Sequence, residues 1–372
     1  MRVLLMTLSD ILPLALTQVL NPALEHCAIV VDEPEKAKKF LAGTPLENIV
    51  YPFYELKECV DNFHFDCAVS IELGIGDWGK KYGIAKNKFV NLFQIYTYEN
   101  FLMERALRYY SEHAAEFEMV ATGMSYTESA ISPQYFKRKL FNFGRGTQDI
   151  YYDYQIAKYV LKKSGGGKIK YALIGLAPYS FHFDESKTYG ENFRILQYVI
   201  ALNDVHNFWL PIEKYKSLLR DDYLNFKLPL ENEMNSVTPL SKEVHHISLN
   251  SRFLARDRID VWKDRYFLET LKENVKILDD YLTLCEENNV RPIIFTAPMT
   301  YGYMKYFNKK KLDELHCVIA DALRKHSAAV FFDGWRLPIF SDENFWDVDH
   351  MNIQGAAKFS AILNDFIEKL EN

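Results

Sequence analysis

Short apolar runs alternate with helix-like segments along most of this chain, and that rhythm restricts the fold more than any other feature. In the first part, residues 2–7, 28–31, 49–52 and 67–71 read as buried-type strands. Between them, residues 11–20, 34–41 and 54–62 read as helices. Pro34 stands at the start of the second helix and Gly43 closes it. Apolar strands alternating with helices imply a parallel sheet covered on both faces. Residues 99–114 read as a helix leading into a second alternation, with strands at 119–123, 139–143, 169–175, 292–296 and 329–332. The helix 149–163 has Thr147 in position to cap it. Lys162 and Lys163 lie in its last turn, where they suit the helix dipole, and Gly165 to Gly167 end it. Residues 185–265 break the rhythm and read as a helical insertion. A chain of 372 residues is too long for one ordinary core, so two α/β domains are expected, 1–114 and 115–372.

Composition excludes several classes of function. The formal charge is −6 and no basic stripe stands out, which argues against nucleic acid as a partner. No uninterrupted apolar run of about 18 residues occurs, so no transmembrane helix is expected. The first 20 residues look superficially like a signal peptide, but Asp10 interrupts them and no small-x-small site follows. The cysteines are Cys27, Cys59, Cys67, Cys285 and Cys317. Their number is odd and they form no Cys-x-x-Cys, the pattern of a reducing, cytoplasmic compartment without structural zinc. Aromatic residues reach 15%, enough for a large aromatic core or for sugar-stacking surface.

The chemistry concentrates in two short motifs. Gly123-Met124-Ser125-Tyr126 ends an apolar strand, and Asp347-Val348-Asp349-His350 precedes an amphipathic C-terminal helix. A serine needs a base to take its proton, and the base needs a carboxylate to orient it. Ser125 on a strand-to-helix turn falls at the carboxyl edge of the sheet, where open α/β sheets bind ligands. His350 follows the last strand and can reach the same edge. Asp347 can curl back onto His350 within one turn, with Asp349 in reserve. The alternative is that Ser125 caps a helix beginning near Thr127, and that Asp349 or His350 caps the one beginning near Gln354.

These blocks resemble the SGNH (GDSL-like) hydrolase superfamily. The matching stretches are Gly123-Met124-Ser125, Asn142-Phe143-Gly144-Arg145-Gly146, and the run from Asp347 through His350 and Asn352 to Gly355. The resemblance covers about residues 119–372. It is nearest the branch that modifies bacterial glycans: polysaccharide O-acetyltransferases and esterases, and the D-alanyl transfer protein of teichoic acid synthesis. It implies a three-layer α/β/α domain with strand order 2-1-3-4-5, an acyl-serine on Ser125, His350 as base and Asp347 as orienter. It also implies an oxyanion hole built from the Ser125 N–H, the Gly146 (or Gly144) N–H and an asparagine after the third strand. That asparagine is absent: the chain reads Gly175-Leu176-Ala177-Pro178-Tyr179-Ser180. Either Tyr179, Ser180 or a backbone amide is expected in its place, or the hole is incomplete.

Arg145 is placed to bind an acidic sugar or to pair with Asp149, and His182 to line an acceptor pocket or to serve a structural role. His245-His246 lack a third ligand at metal spacing, so no metal is expected. The first domain resembles Rossmann-like domains of sugar-modifying proteins, with Asp32 ending its second strand. Its one dinucleotide-type fingerprint, Gly74-Ile75-Gly76-Asp77-Trp78-Gly79, follows the fourth strand rather than the first, so no cofactor is assigned. The expected function is a serine esterase or O-acyltransferase acting on a carbohydrate or other small-molecule ester. The alternative is a glycan- or nucleotide-binding protein on the same fold that lacks the chemistry.

Overall fold

The computed structural model describes residues 1–71, 78–95, 97–163, 167–188, 192–230, 256, 258–259 and 266–371. The chain forms two compact α/β units, Met1–Arg105 with Glu185–Pro229 and Ala106–Asp184 with Leu230–Asn372. Each holds one five-stranded sheet whose strand pairs are all parallel.

In the first unit the strands are β1 (Arg2–Met6), β2 (Glu25–Val31), β3 (Val50–Pro52), β4 (Cys67–Ser70) and β5 (Phe89–Asn91), in the order β3-β2-β1-β4-β5. Alternation along each strand sends Leu4, Met6, Ala28, Val30, Ala68 and Phe89 to one face. There they pack with Leu56 and Cys59 of the helix Leu56–Asn62. Strand β5 escaped the sequence pattern because three residues are too few to show a period. The segment 11–20, expected as one helix, is a short α-turn at Leu12–Leu14 running into a π-turn at Ala15–Val19.

Residues 185–229 were expected within an insertion of the second domain, but they belong to the first unit. The Asn192 side chain accepts from the Asn91 N–H at 3.3 Å, and Leu219 bridges to Leu20. The first boundary correspondingly lies at Arg105/Ala106, inside the helix Leu102–His113, rather than at 114/115. Such pairings join residues about 100 to 200 apart, which no local pattern encodes.

The second unit carries β6 (Met119–Gly123), β7 (Leu140–Asn142), β8 (Tyr171–Gly175), β9 (Arg291–Thr296) and β10 (Val330–Asp333). Their order is β10-β9-β8-β6-β7, which is 2-1-3-4-5 when counted within the unit. Met119, Ala121, Leu173, Ile293 and Phe295 face Phe359, Leu363 and Ile367 of the C-terminal helix Ile353–Lys369. The alternate positions face the other side, where the Thr122 and Tyr281 hydroxyls lie 3.2 Å apart. Tyr281 belongs to the helix Leu268–Glu287. Helices therefore cover both faces of this sheet in three layers.

Two local details differ from the sequence pattern. Asp149, not Thr147, caps the helix Ile150–Lys163, accepting the Tyr152 N–H at 3.1 Å. Thr147 is instead a left-handed turn residue, with φ +60°. The Gly74–Gly76 part of the fingerprint, Gly165 and Gly166, and His245 and His246 lie outside the described residues.

The ends of β6 and β8 come unusually close to the chain that follows them. A Cβ on Gly123 would fall 2.1 Å from Thr127 Oγ1 and 2.6 Å from the Gly175 carbonyl oxygen, at a φ of +141°. Gly123→Ala is expected to destabilise the unit by about 1–3 kcal/mol or more through overpacking and backbone strain. Denaturant unfolding checks this. Asn352→Ala, which removes the cap accepting the Gly355 N–H, is expected to cost about 1 kcal/mol in the same assay.

Candidate active site

Strand β6 ends at Gly123, and a short helix begins at Ser125 with Met124 as an extended N-cap. The Ser125 side chain stands on the first residue of that helix. Its Oγ lies 2.8 Å from His350 Nε2. On the opposite ring nitrogen, Nδ1 lies 2.9 Å from Asp347 Oδ2 and 3.1 Å from Oδ1. The Asp347 carboxylate is held in turn, Oδ1 accepting the backbone N–H of Asp349 at 3.0 Å and of His350 at 2.7 Å. In the neutral imidazole, with Nδ1–H directed at Asp347, Nε2 presents its lone pair to the serine hydroxyl. Asn352 caps the C-terminal helix, so neither Asp349 nor His350 serves that purpose.

Three neighbours of this chain of groups were not visible in the sequence. Tyr126 donates its hydroxyl to Asp349 Oδ2 at 2.9 Å, and its ring lies 5.1 Å from the His350 ring. Arg258 reaches Asp349 through Nε at 3.0 Å and Asp347 through Nη2 at 3.4 Å. Glu128, one turn after Ser125, is buried and pairs with Arg145 at 3.2 Å. Burial pushes the Glu128 carboxyl up, and Arg145 opposes that only in part. No sequence signal ties Arg258 to carboxylates about 90 positions away.

The residues expected to form the oxyanion hole and acceptor pocket are mostly engaged elsewhere. Gly144 N–H donates to Asn142 Oδ1 at 2.8 Å, and Arg145 N–H donates to the Gly123 carbonyl at 3.0 Å. The Gly146 N–H faces the Glu128 carboxylate and favours its ionised form. Arg145 pairs with Glu128, which the helix turn brings beside it. Ser180 Oγ accepts the Ala177 N–H at 2.9 Å and staples its own loop. The Tyr179 hydroxyl donates to the Tyr126 hydroxyl at 3.2 Å. His182 is buried, its Nε2 2.6 Å from Glu314 Oε2 and its Nδ1 accepting the Phe267 N–H. Of the expected oxyanion donors, the Ser125 amide remains, at the first turn of its helix, with no acceptor among the described residues.

Asp347, Asp349 and His350 lie close enough together to hold a cation. The Arg258 guanidinium already supplies the positive charge there, and His350 Nε2 faces Ser125. Among the described residues, no helix is long and apolar enough to cross a membrane.

No family model and no curated protein matches the chain. Among solved structures, a chain from Streptococcus pneumonia provisionally described as a platelet activating factor superposes with a TM-score of 0.39 at 10% identity. The match covers 73% of this chain and 97% of that one. A likeness at this level carries no argument about function.

Burial alone would lower the His350 pKa, but hydrogen bonding and charge from Asp347 and Asp349 win and raise it to about 9. The imidazolium is then the main form at neutral pH, and only the neutral fraction can accept the serine proton. The reactivity of Ser125 towards a phosphonylating probe is therefore expected to rise about tenfold per pH unit and to level off above about pH 9. A flat profile between pH 6 and pH 9 would contradict this assignment.

Proposed function

We propose that the chain is a serine esterase or O-acyltransferase of the SGNH-like kind, acting on a carbohydrate or related small-molecule ester. The observation that carries this reading is the continuous path from Ser125 Oγ through His350 to Asp347 at the carboxyl edge of a 2-1-3-4-5 sheet. Ligands of open α/β sheets bind along that edge. A cytoplasmic placement belongs to the same reading and rests on the cysteine pattern.

The steps follow from the geometry. Ser125 Oγ attacks the acyl carbonyl carbon while its proton passes to His350 Nε2. Asp347 holds the imidazolium so formed. The Ser125 amide faces the developing oxyanion, where a fixed donor is typically worth about 10²–10³ in rate. Collapse breaks the ester C–O bond, and the leaving alcohol takes the proton from His350. Water or a sugar hydroxyl then attacks the acyl-serine and gives its proton to His350. The acyl group leaves on that oxygen, and Ser125 recovers its hydrogen.

A second reading is a glycan- or nucleotide-binding protein on this fold without acyl chemistry. One observation favours it: the amides of Gly144 and Arg145 are both engaged, and the chain has no asparagine between Gly175 and Ser180. Labelling with a fluorophosphonate probe separates the two. Acyl transfer predicts labelling that disappears in Ser125→Ala and falls about 10²–10⁴-fold in His350→Ala and Asp347→Asn. A folded wild-type protein that takes no label at any pH supports the binding protein.

A further inference from the structure

Asp349 and Arg258 stand outside the path from Ser125 to Asp347, yet both reach it. The Asp349 side chain is 1% exposed, and its Oδ1 lies 3.3 Å from His350 Nδ1. Its Oδ2 accepts from Tyr126 at 2.9 Å and from Arg258 Nε at 3.0 Å. Arg258 Nη2 also lies 3.0 Å from Oδ1, an ion pair without hydrogen-bond geometry. The same Nη2 is 3.4 Å from Asp347 and 3.3 Å from His350 Nδ1. A carboxylate so deeply buried stays ionised only with a well-matched partner, and a hydrogen-bonded guanidinium is one.

One imidazole N–H can make one good linear bond. Asp347, at 2.9 Å, takes it. Asp349 therefore acts on His350 mainly through charge. Two carboxylates against a single imidazole would hold it as imidazolium and keep it from accepting the serine proton. Arg258 offsets one of them, so that the site carries about the charge of a single orienting carboxylate.

We propose that Asp349 and Arg258 are positioning residues of the acid–base site, the carboxylate strengthening the imidazolium form of His350 and the guanidinium limiting that effect. This inference rests on the acyl-transfer reading of Ser125 and His350. The directions of the shifts agree with it. Burial would raise the Asp349 carboxyl, but His350 and Arg258 hold it well below the usual carboxylate range. Burial would lower the Arg258 guanidinium, but Asp349 and Asp347 raise it.

Other groups also face the site. Glu128 lies within electrostatic range of His350 from the serine helix, and the Trp346 ring stacks 5.8 Å from the imidazole. The Tyr179 hydroxyl bonds to Tyr126, and the hydroxyls of both Tyr179 and Tyr303 feel the Asp349 charge. None of these carries a positive charge, which leaves Arg258 as the cation facing the two carboxylates among the described residues.

The test is the NMR titration of the His350 imidazole in the full chain, assigned by its loss in His350→Gln. It is run beside the pH profile of fluorophosphonate labelling. Asp349→Asn is expected to move the His350 midpoint down by about 1–3 pH units. Arg258→Gln is expected to move it up, and Arg258→Lys to restore most of the wild-type value. Opposite shifts from the two sites are a signature that loss of packing cannot produce. If both variants slow labelling equally at every pH and leave the midpoint in place, the inference fails. Should Asp349→Asn not fold, the half-exposed Arg258 variants still decide the sign. Opposite shifts in a wild-type protein that takes no label would uphold the electrostatic assignment and overturn the acyl-transfer reading instead.

Discussion

Close approach at the ends of two central strands decides where everything else in the second unit can sit. Gly123 ends β6 and Gly175 ends β8, and the side chain of Thr127 fills the space where their Cβ atoms would be. Glycine alone allows that approach, and at Gly123 it also accepts the positive φ of the turn. The helix that begins at Ser125 can then start directly at the sheet edge. Its first residue faces the loop after β10 and not the body of the helix. The same turn packs Glu128 against Arg145 and aligns Tyr126 with Asp349, so one tight junction serves three different contacts.

Charge compensation is the second organising constraint. The site buries Asp349 and His350 together, with Asp347 partly shielded, and a buried charge without a partner is strongly unfavourable. Arg258 and the Tyr126 hydroxyl supply partners to one carboxylate, while backbone amides supply them to the other. A second buried pair, Glu128 with Arg145, joins the serine helix to the loop after β7. The two networks draw on different donors around one serine.

Much of the site was legible in the chain because its elements are local. Ser125 follows a five-residue apolar strand, and Asp347 and His350 stand three apart in one turn, so their juxtaposition needs only short-range geometry. The same holds for the alternation of strands and helices, which read out as two parallel sheets. The less legible parts are those where a side chain had a choice of partners. Arg145 is four residues from Asp149 yet bonds Glu128, and His182 turns inward to Glu314 instead of towards an acceptor. Glycine-rich sequence after β7 looked like a supply of free amides, but the fold engages those of Gly144 and Arg145.

By itself, then, the sequence determined the class of the fold and singled out Ser125, His350 and Asp347 as groups that meet at one sheet edge, because strand period, helix punctuation and a three-residue spacing are properties of neighbouring residues. Tertiary structure alone decided that residues 185–229 join the first unit, that Arg258 and Tyr126 hold a second carboxylate, and that Arg145 pairs with Glu128. These outcomes depend on which distant groups are brought within about 3 Å of each other, and a buried polar atom takes whichever partner the packing delivers.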